Sequence, residues 1–180
     1  MMTLITGGSK CGKSALAESL LEGAPRKLYI ATMIPYGDEA HAAIARHRRI
    51  RAGKGFETLE LYTDLQTAEV TGRSVLLECL GNLTANELFR EETGSCGTGS
   101  GTDAAQTAAY ITEGLRTLRA QAGNLVIVTN QVGADGITYD SGTMDYIRVL
   151  GEVNQAAAQM ADRVIECVYG IAVVLKDYEK

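Results

Sequence analysis

The segment Gly7-Gly8-Ser9-Lys10-Cys11-Gly12-Lys13-Ser14 has the spacing G-x-x-x-x-G-K-S, and its residue types are those that hold a phosphate chain. Glycines let the backbone curl until successive amide N–H groups face one anion, and a helix starting at the end of the loop adds its own unpaired N–H groups. Lys13 supplies a cation to the β- and γ-phosphates, and the Ser14 hydroxyl is a ligand for Mg2+. The apolar run Met2-Thr3-Leu4-Ile5-Thr6 before the loop and Ala15-Leu16-Ala17-Glu18-Ser19-Leu20-Leu21 after it are the strand and helix that such a loop requires. A glycine turn that merely joined strand to helix would leave the Lys-Ser pair unexplained. Gly7, Gly8, Ser9, Lys10, Cys11, Gly12, Lys13 and Ser14 are therefore expected to bind a nucleoside triphosphate.

Two further groups carry candidate chemistry. Glu78 ends the apolar run Ser74-Val75-Leu76-Leu77-Glu78-Cys79-Leu80, where a carboxylate is partly desolvated and needs a partner. It is expected to hold Mg2+ with Ser14, directly or through water, the alternative being a solvated strand-end charge. His47 lies in a stretch that reads as a helix from about 39 to 50, where it shares a stripe with Ala40, Ala43 and Ile44 and so faces the body of the protein. Arg46, Arg48, Arg49 and Arg51 crowd around it, and clustered guanidinium groups suit bidentate phosphate binding. Nearby positive charge disfavours a second cation, which favours a neutral, nucleophilic imidazole. Spacing alone favours the plainer reading, a histidine that packs its helix beside a solvated basic face. His41 has no comparable setting and reads as surface.

The elements that must position these groups alternate in type. Strands are predicted at 2–6, 27–32, 58–61, 74–80, 124–130, 163–169 and 171–175, the last two meeting at Gly170. Helices are predicted after the glycine loop, over 39–50, from Gly81 to about Arg90 with Asn82 or Thr84 as N-cap, over 103–122 and over 144–161. The Gly/Ser-rich stretch 93–102 has almost nothing to bury and reads as a flexible loop inserted in one domain spanning 1–180. This alternation implies an α/β fold of three layers, a mostly parallel sheet with helices on both faces and an antiparallel C-terminal strand. Ligands in such sheets bind beyond the carboxyl ends of the strands, which places Ser14, Thr32, Glu78 and Asn130 on one rim.

Composition narrows the function classes. The 180 residues are 46% hydrophobic and 22% charged, with a formal charge of −5. That balance argues against a general nucleic-acid binder, despite the basic stretch 46–51. Without a run of ~18–20 apolar residues, no membrane insertion is expected. No secretory leader is apparent, and Cys11, Cys79, Cys96 and Cys167 are scattered without metal-ligand spacing, so they read as free thiols in a reducing cytoplasm.

Taken together, the residues resemble the bifunctional adenosylcobinamide kinase/adenosylcobinamide-phosphate guanylyltransferase family of cobalamin biosynthesis. The resemblance runs in order through Ile5 to Ser14, Ala17-Glu18, Tyr29-Ile30-Ala31-Thr32, Asp38-Glu39 and Ile44-Ala45-Arg46-His47-Arg48. It continues through Leu76-Leu77-Glu78-Cys79-Leu80, Val128-Thr129-Asn130-Gln131-Val132-Gly133 and Gly151-Glu152-Val153-Asn154-Gln155. It implies phosphorylation of the aminopropanol hydroxyl of adenosylcobinamide by GTP or ATP, then transfer of GMP from GTP to that phosphate. The products of the second step would be adenosylcobinamide-GDP and pyrophosphate. His47 matches the family's nucleophile, which carries GMP as a phosphoramidate. The resemblance further implies that Thr32 and Met33 lie beside the nucleotide, that Arg48, Arg49, Ile50 and Arg51 contact its phosphates or base, and that Glu60 and Glu78 complete the site. It also implies a P-loop fold and a homotrimer. Three departures stand out: Gln131 occupies the place of the family's usual glutamate, Gly53-Lys54-Gly55-Phe56 replaces an aromatic and a proline after the histidine helix, and the Gly/Ser-rich loop at 93–102 is unusual for the family. If that glutamate positions the acceptor hydroxyl or a metal, its loss weakens the kinase step. Two other functions fit the glycine loop without the resemblance, a plain kinase of another small hydroxyl substrate and a non-catalytic GTP-binding regulatory module.

Overall fold

The computed structural model describes residues 1–35, 48–49, 51–90, 104–133 and 135–178. Seven strands form one sheet: β1 (Met2–Thr6), β2 (Lys27–Ala31), β3 (Glu57–Glu60), β4 (Ser74–Glu78), β5 (Asn124–Val128), β6 (Arg163–Val168) and β7 (Ile171–Asp177), in the order β3-β2-β4-β5-β1-β6-β7. All neighbours pair in parallel except β6 and β7. The helices are α1 (Lys13–Ser19), α2 (Leu80–Leu88), α3 (Ala104–Gln121) and α4 (Ser141–Met160), with a 3-10 turn at Leu65–Thr67 and helical backbone at 48, 49 and 51–53.

The period-2 alternation of side chains divides the core into two. Met2 and Leu4 of β1, Val75 and Leu77 of β4, and Leu125 and Ile127 of β5 face one side, where they pack with α2, α3 and α4. Ile5, Leu76, Val126 and Val128 face the other, against Ala17 of α1, Leu21 and Phe56. On α3, Ala104, Ala108, Ile111, Leu115 and Leu118 recur at alternating spacings of four and three residues, the single stripe that a helix lying on a sheet needs. Strands buried on both faces are continuous apolar runs, which is why they were visible in the sequence. Register levels their ends. Ala31 pairs with Glu60 and Glu78, Glu78 with Val128, and Val128 with Ile5.

Several boundaries differ from the expected ones. The strand predicted through Leu80 stops at Glu78, because the Thr32 hydroxyl accepts a hydrogen bond from the Cys79 N–H (2.7 Å) and donates one to the Cys79 carbonyl (2.9 Å). With Cys79 withdrawn from the ladder, α2 starts at Leu80. Thr84, a predicted cap, instead lies inside that helix and donates its hydroxyl to the Leu80 carbonyl. The helix predicted from Met144 begins at Ser141, since Asp140 caps it by accepting from the Thr143 N–H at 3.0 Å. β7 runs two residues past its predicted end, and its Lys176 donates to the carbonyls of Ala158, Gln159 and Ala161 at the end of α4. Tyr169 and Gly170, both at positive φ (50° and 82°), form the two-residue turn between β6 and β7. Most of the helix predicted over 39–50 and the 93–102 loop lie outside the described residues.

Candidate active site

The loop from Gly7 to Gly12 leaves the end of β1 and delivers Lys13 as the first residue of α1. Two of its glycines are required by geometry. Gly7 has φ 144°, and a Cβ there would lie 2.5 Å from the Cys167 carbonyl of β6. Gly12, at φ 103°, would bring a Cβ to 3.3 Å from the Gly170 Cα. Lys10 also adopts positive φ (57°), so the loop bends back on itself between the two glycines. Lys13, 7% exposed, donates to the carbonyls of Gly7 (3.0 Å) and Gly8 (2.6 Å), which holds its ammonium across the mouth of the loop. Gly12 gives α1 no side-chain cap, and the helical ladder begins only with the Leu16 N–H on the Gly12 carbonyl.

Level register of the strand ends brings Glu78 to this loop. The Ser14 hydroxyl donates a hydrogen bond to Glu78 Oε1. Burial pushes the Glu78 carboxyl above the ordinary carboxylate value, and nearby Glu18 adds to the shift, while the Ser14 hydrogen bond and the Lys13 charge oppose it. A carboxylate and a hydroxyl side by side are hard oxygen donors, and a desolvated carboxylate is stabilised by a divalent cation, so the pair fits Mg2+. Ser14, Glu78, Cys79 and Asn82 form a wall between two clefts. One is a groove of about 420 Å3 over Ser9 to Ala15, closed on its far side by Val128 and Asn130. The other, of about 300 Å3, runs toward β2 and β3 and is lined by Glu18, Tyr29, Thr32, Met33, Arg51 and Glu60.

The second cleft is walled by charge. The Arg51 guanidinium stacks 3.8 Å from the centre of the Tyr29 ring. Arg51 is 8% exposed, and its Nε has no hydrogen-bond partner among the described residues. Burial lowers its pKa, with Glu18 opposing. Such a group gains from an acceptor brought by a ligand. Arg48 pairs with Glu60, whose other oxygen accepts from Tyr62 at 3.2 Å. Met33 is exposed on the rim. Thr32 lines the cleft but is buried, and its hydroxyl is committed to Cys79, so it positions the turn after Glu78. Asn86 completes this brace by donating to the carbonyls of Thr32 (2.8 Å) and Tyr62 (2.9 Å).

The structure thus brings together Gly7 to Ser14, Thr32, Met33, Arg48, Arg51, Glu60 and Glu78. Arg49 is exposed on the helical segment that carries Arg48. His47 and Ile50 lie outside the described residues, as does His41. Sequence reasoning missed Glu18 and Tyr29. Glu18 stands four residues after Ser14 on one face of α1, a helical spacing that could have flagged it. Tyr29 carried no such signal, because a strand residue facing α1 reads as core. Gln131 donates through Nε2 to Glu166 at 3.0 Å, and its N–H reaches the Gly7 carbonyl at 3.4 Å, so an amide with a carboxylate behind it stands beside the loop.

Comparison with known proteins bears directly on this arrangement. The family model for cobinamide kinase/cobinamide phosphate guanyltransferase matches residues 3–175. The bifunctional adenosylcobalamin biosynthesis protein CobU of Salmonella typhimurium is 35% identical over 185 residues, covering 98% of this chain and 100% of that one. CobU of Escherichia coli is 34% identical, with 98% and 100% covered. The corresponding CobP of Pseudomonas aeruginosa is 30% identical, with 98% of each chain covered. Among solved structures, a DnaB-like replicative helicase described with its interactions with primase aligns with a TM-score of 0.45 at 10% identity, over 96% of this chain and 54% of its own.

Proposed function

The chain belongs to the cobinamide kinase/cobinamide phosphate guanyltransferase family, and from that premise we propose that it runs both reactions on the one rim where its two clefts meet. In the first, GTP or ATP phosphorylates the aminopropanol hydroxyl of adenosylcobinamide. In the second, GMP passes from GTP to the new phosphate through His47. The observation that carries this reading is the Ser14–Glu78 pair, shared by the groove over the glycine loop and the cleft walled by Arg51.

Gly7 to Ser14 hold the triphosphate, with backbone N–H groups and the Lys13 ammonium stabilising charge on the phosphoryl oxygens. Ser14 and Glu78 would hold Mg2+, which would supply positive charge to offset that of the phosphates. For guanylyl transfer, an imidazole nitrogen of His47 attacks the α-phosphorus of GTP, the bond to the β-phosphate oxygen breaks, and pyrophosphate leaves. A phosphate oxygen of adenosylcobinamide phosphate then attacks the same phosphorus, the N–P bond breaks, and adenosylcobinamide-GDP is released. Arg48 and Arg51 follow His47 closely in sequence; Arg51 lines the second cleft, and Arg48 pairs with Glu60 of its wall. Arg51, buried with its Nε unpartnered among the described residues, is suited to donate to the α-phosphate or to the base edge of the nucleotide.

The whole chain from 1 to 180 is read as one nucleotide-binding domain acting in the cytoplasm as a homotrimer. Among the described residues, no helix is long and apolar enough to cross a membrane. GTP labelled at the α-phosphate, incubated with the protein and Mg2+, should leave acid-labile, alkali-stable label on wild type and none on His47→Ala. A chain that binds GTP yet takes no label would remove His47 from the mechanism and leave a plain kinase.

A further inference from the structure

Two cysteines far apart in sequence meet beneath the glycine loop. The Cys167 thiol, on β6, donates a hydrogen bond to the Cys11 carbonyl at 3.1 Å, and the Gly170 N–H donates to that same oxygen at 2.7 Å. A Cβ at Gly7 would meet the Cys11 sulfur at 3.0 Å and the Cys167 carbonyl at 2.5 Å, so the side chain of one cysteine and the backbone of the other converge on a single spot. A Cβ at Gly12 would lie 3.7 Å from the Cys167 sulfur. Both thiols are free. Cys11 is half-buried and borders the phosphate groove, whereas Cys167 is 1% exposed. Burial, and then contact with the Cys11 thiol, push the Cys167 thiol up. The two cysteines therefore lie against each other, and of their two thiols only that of Cys11 is open to a reagent.

We propose that Cys11 and Cys167 form a modification site at which a small-molecule disulfide oxidises the pair to an intramolecular disulfide, and that this bond reversibly switches off nucleotide binding by the loop. The Cys11 thiolate attacks one sulfur of a reagent such as oxidised glutathione, the reagent's S–S bond breaks, and one thiol departs with a proton. Cys167 then loses its proton and attacks the Cys11 sulfur, displacing the second thiol. Two protein thiols are oxidised, one disulfide is reduced to two thiols, and a dithiol reductant reverses the change. Bond formation must draw the sulfurs inside their van der Waals contact and so pulls Cys11 toward β6. The neighbouring Gly12 and Lys13 N–H groups move with it, and a phosphate cradle tolerates displacements of only about 0.5 Å. The inference rests on the reading that this loop binds GTP.

The test uses the full chain and calorimetric titration with GTP and Mg2+. Reduced protein is titrated first, and absence of binding there would sink the nucleotide reading itself. The protein is then treated with oxidised glutathione, freed of reagent, mapped by mass spectrometry without reduction, and titrated again. The expected result is a peptide linking Cys11 to Cys167, with a loss of two hydrogens from the intact mass. GTP affinity should fall ~10-fold or more, with both changes reversed by dithiothreitol. In Cys167→Ala, which lacks the resolving thiol, Cys11 should instead retain glutathione. If reduced protein binds GTP but oxidation yields no Cys11–Cys167 peptide, or the linked protein binds GTP as tightly as before, the proposal is overturned.

Discussion

Glu78 and Asp64 are both partly buried carboxyls, yet their surroundings move them in opposite directions, and each direction makes a prediction. Burial raises Glu78, so between its unfolded value of about 4.3 and its higher folded value the native state binds the extra proton, and stability falls as pH rises. Glu78→Gln should therefore be more stable than wild type in metal-free buffer at neutral pH. The gain would appear as a higher melting temperature and would vanish below pH ~4, where the carboxyl is protonated in both states. Activity should fall by at least ~100-fold in the same variant, since the oxygen proposed for Mg2+ is gone. Equal stability at both pH values would show that burial does not set this carboxyl. Asp64 is instead lowered, first by its hydrogen bond with Arg90 and then, beyond its own burial, by the Tyr110 hydroxyl at 2.6 Å. Its contribution is present above its unfolded value and is lost as pH falls through the folded one. Acid titration of Asp64→Asn should show a shallower loss of stability below pH ~4 than wild type. Lys13→Met removes the one buried cation of the loop, and kcat/KM for both reactions should drop ~10^2–10^3-fold with little change in melting temperature.

At the scale of elements, the site depends on where β4 stops. Thr32, at the end of β2, uses its hydroxyl to take both backbone groups of Cys79 out of the strand ladder, which turns the chain and leaves Glu78 against Ser14. Thr32→Val keeps the shape but leaves the Cys79 N–H unpaired, while the Cys79 carbonyl keeps the Leu83 N–H at 3.1 Å, at a cost of ~1–3 kcal/mol. It should lower the melting temperature by several degrees and, by loosening Glu78, reduce kcat more than it raises KM for GTP. Unchanged kcat with lower stability would make the brace merely structural. This brace marks the limit of what the sequence discloses. Most of the seven strands were legible because each is a short apolar run bounded by polar or glycine residues, β3 (Glu57–Glu60) by its alternation instead, and the loop was legible because phosphate binding restricts residue types at fixed spacing. Where β4 ends was not, since Leu80 continues the apolar pattern and only a threonine 47 residues away in sequence terminates it. Arg51 over Tyr29 was half legible: its charge cluster was plain, whereas the burial that leaves its Nε without a partner among the described residues comes from packing between distant segments.

For the whole molecule, the outstanding feature is the edge of the sheet. β7 is the outermost strand, and Ile171, Val173, Val174 and Leu175 are all exposed on it, with Ile171 at 66% and Leu175 at 59%. An apolar edge strand left open invites pairing with another chain, and soluble proteins blunt such edges with charge or cover them. The proposed homotrimer gives it a cover, but a ring of three imposes a condition. Each contact in such a ring is heterologous, joining one patch on a chain to a different patch on its neighbour, whereas edge-to-edge pairing of β7 with itself would give a two-fold dimer. A second exposed apolar group, Val132, Ile137, Tyr139 and Met144, lies at the start of α4 and the segment before it, and is the candidate for the other half of the contact. Sedimentation velocity should therefore find wild type at three times the 19.2 kDa chain mass. Ile171→Lys with Leu175→Lys should dissociate it to single chains, and so should Ile137→Lys with Met144→Lys made alone. These are surface changes, so the melting temperature of the dissociated chains should reflect loss of association rather than damage to the core. A wild-type mass of two chains, abolished by the β7 changes and indifferent to those at Ile137 and Met144, would replace the trimer with edge pairing through β7.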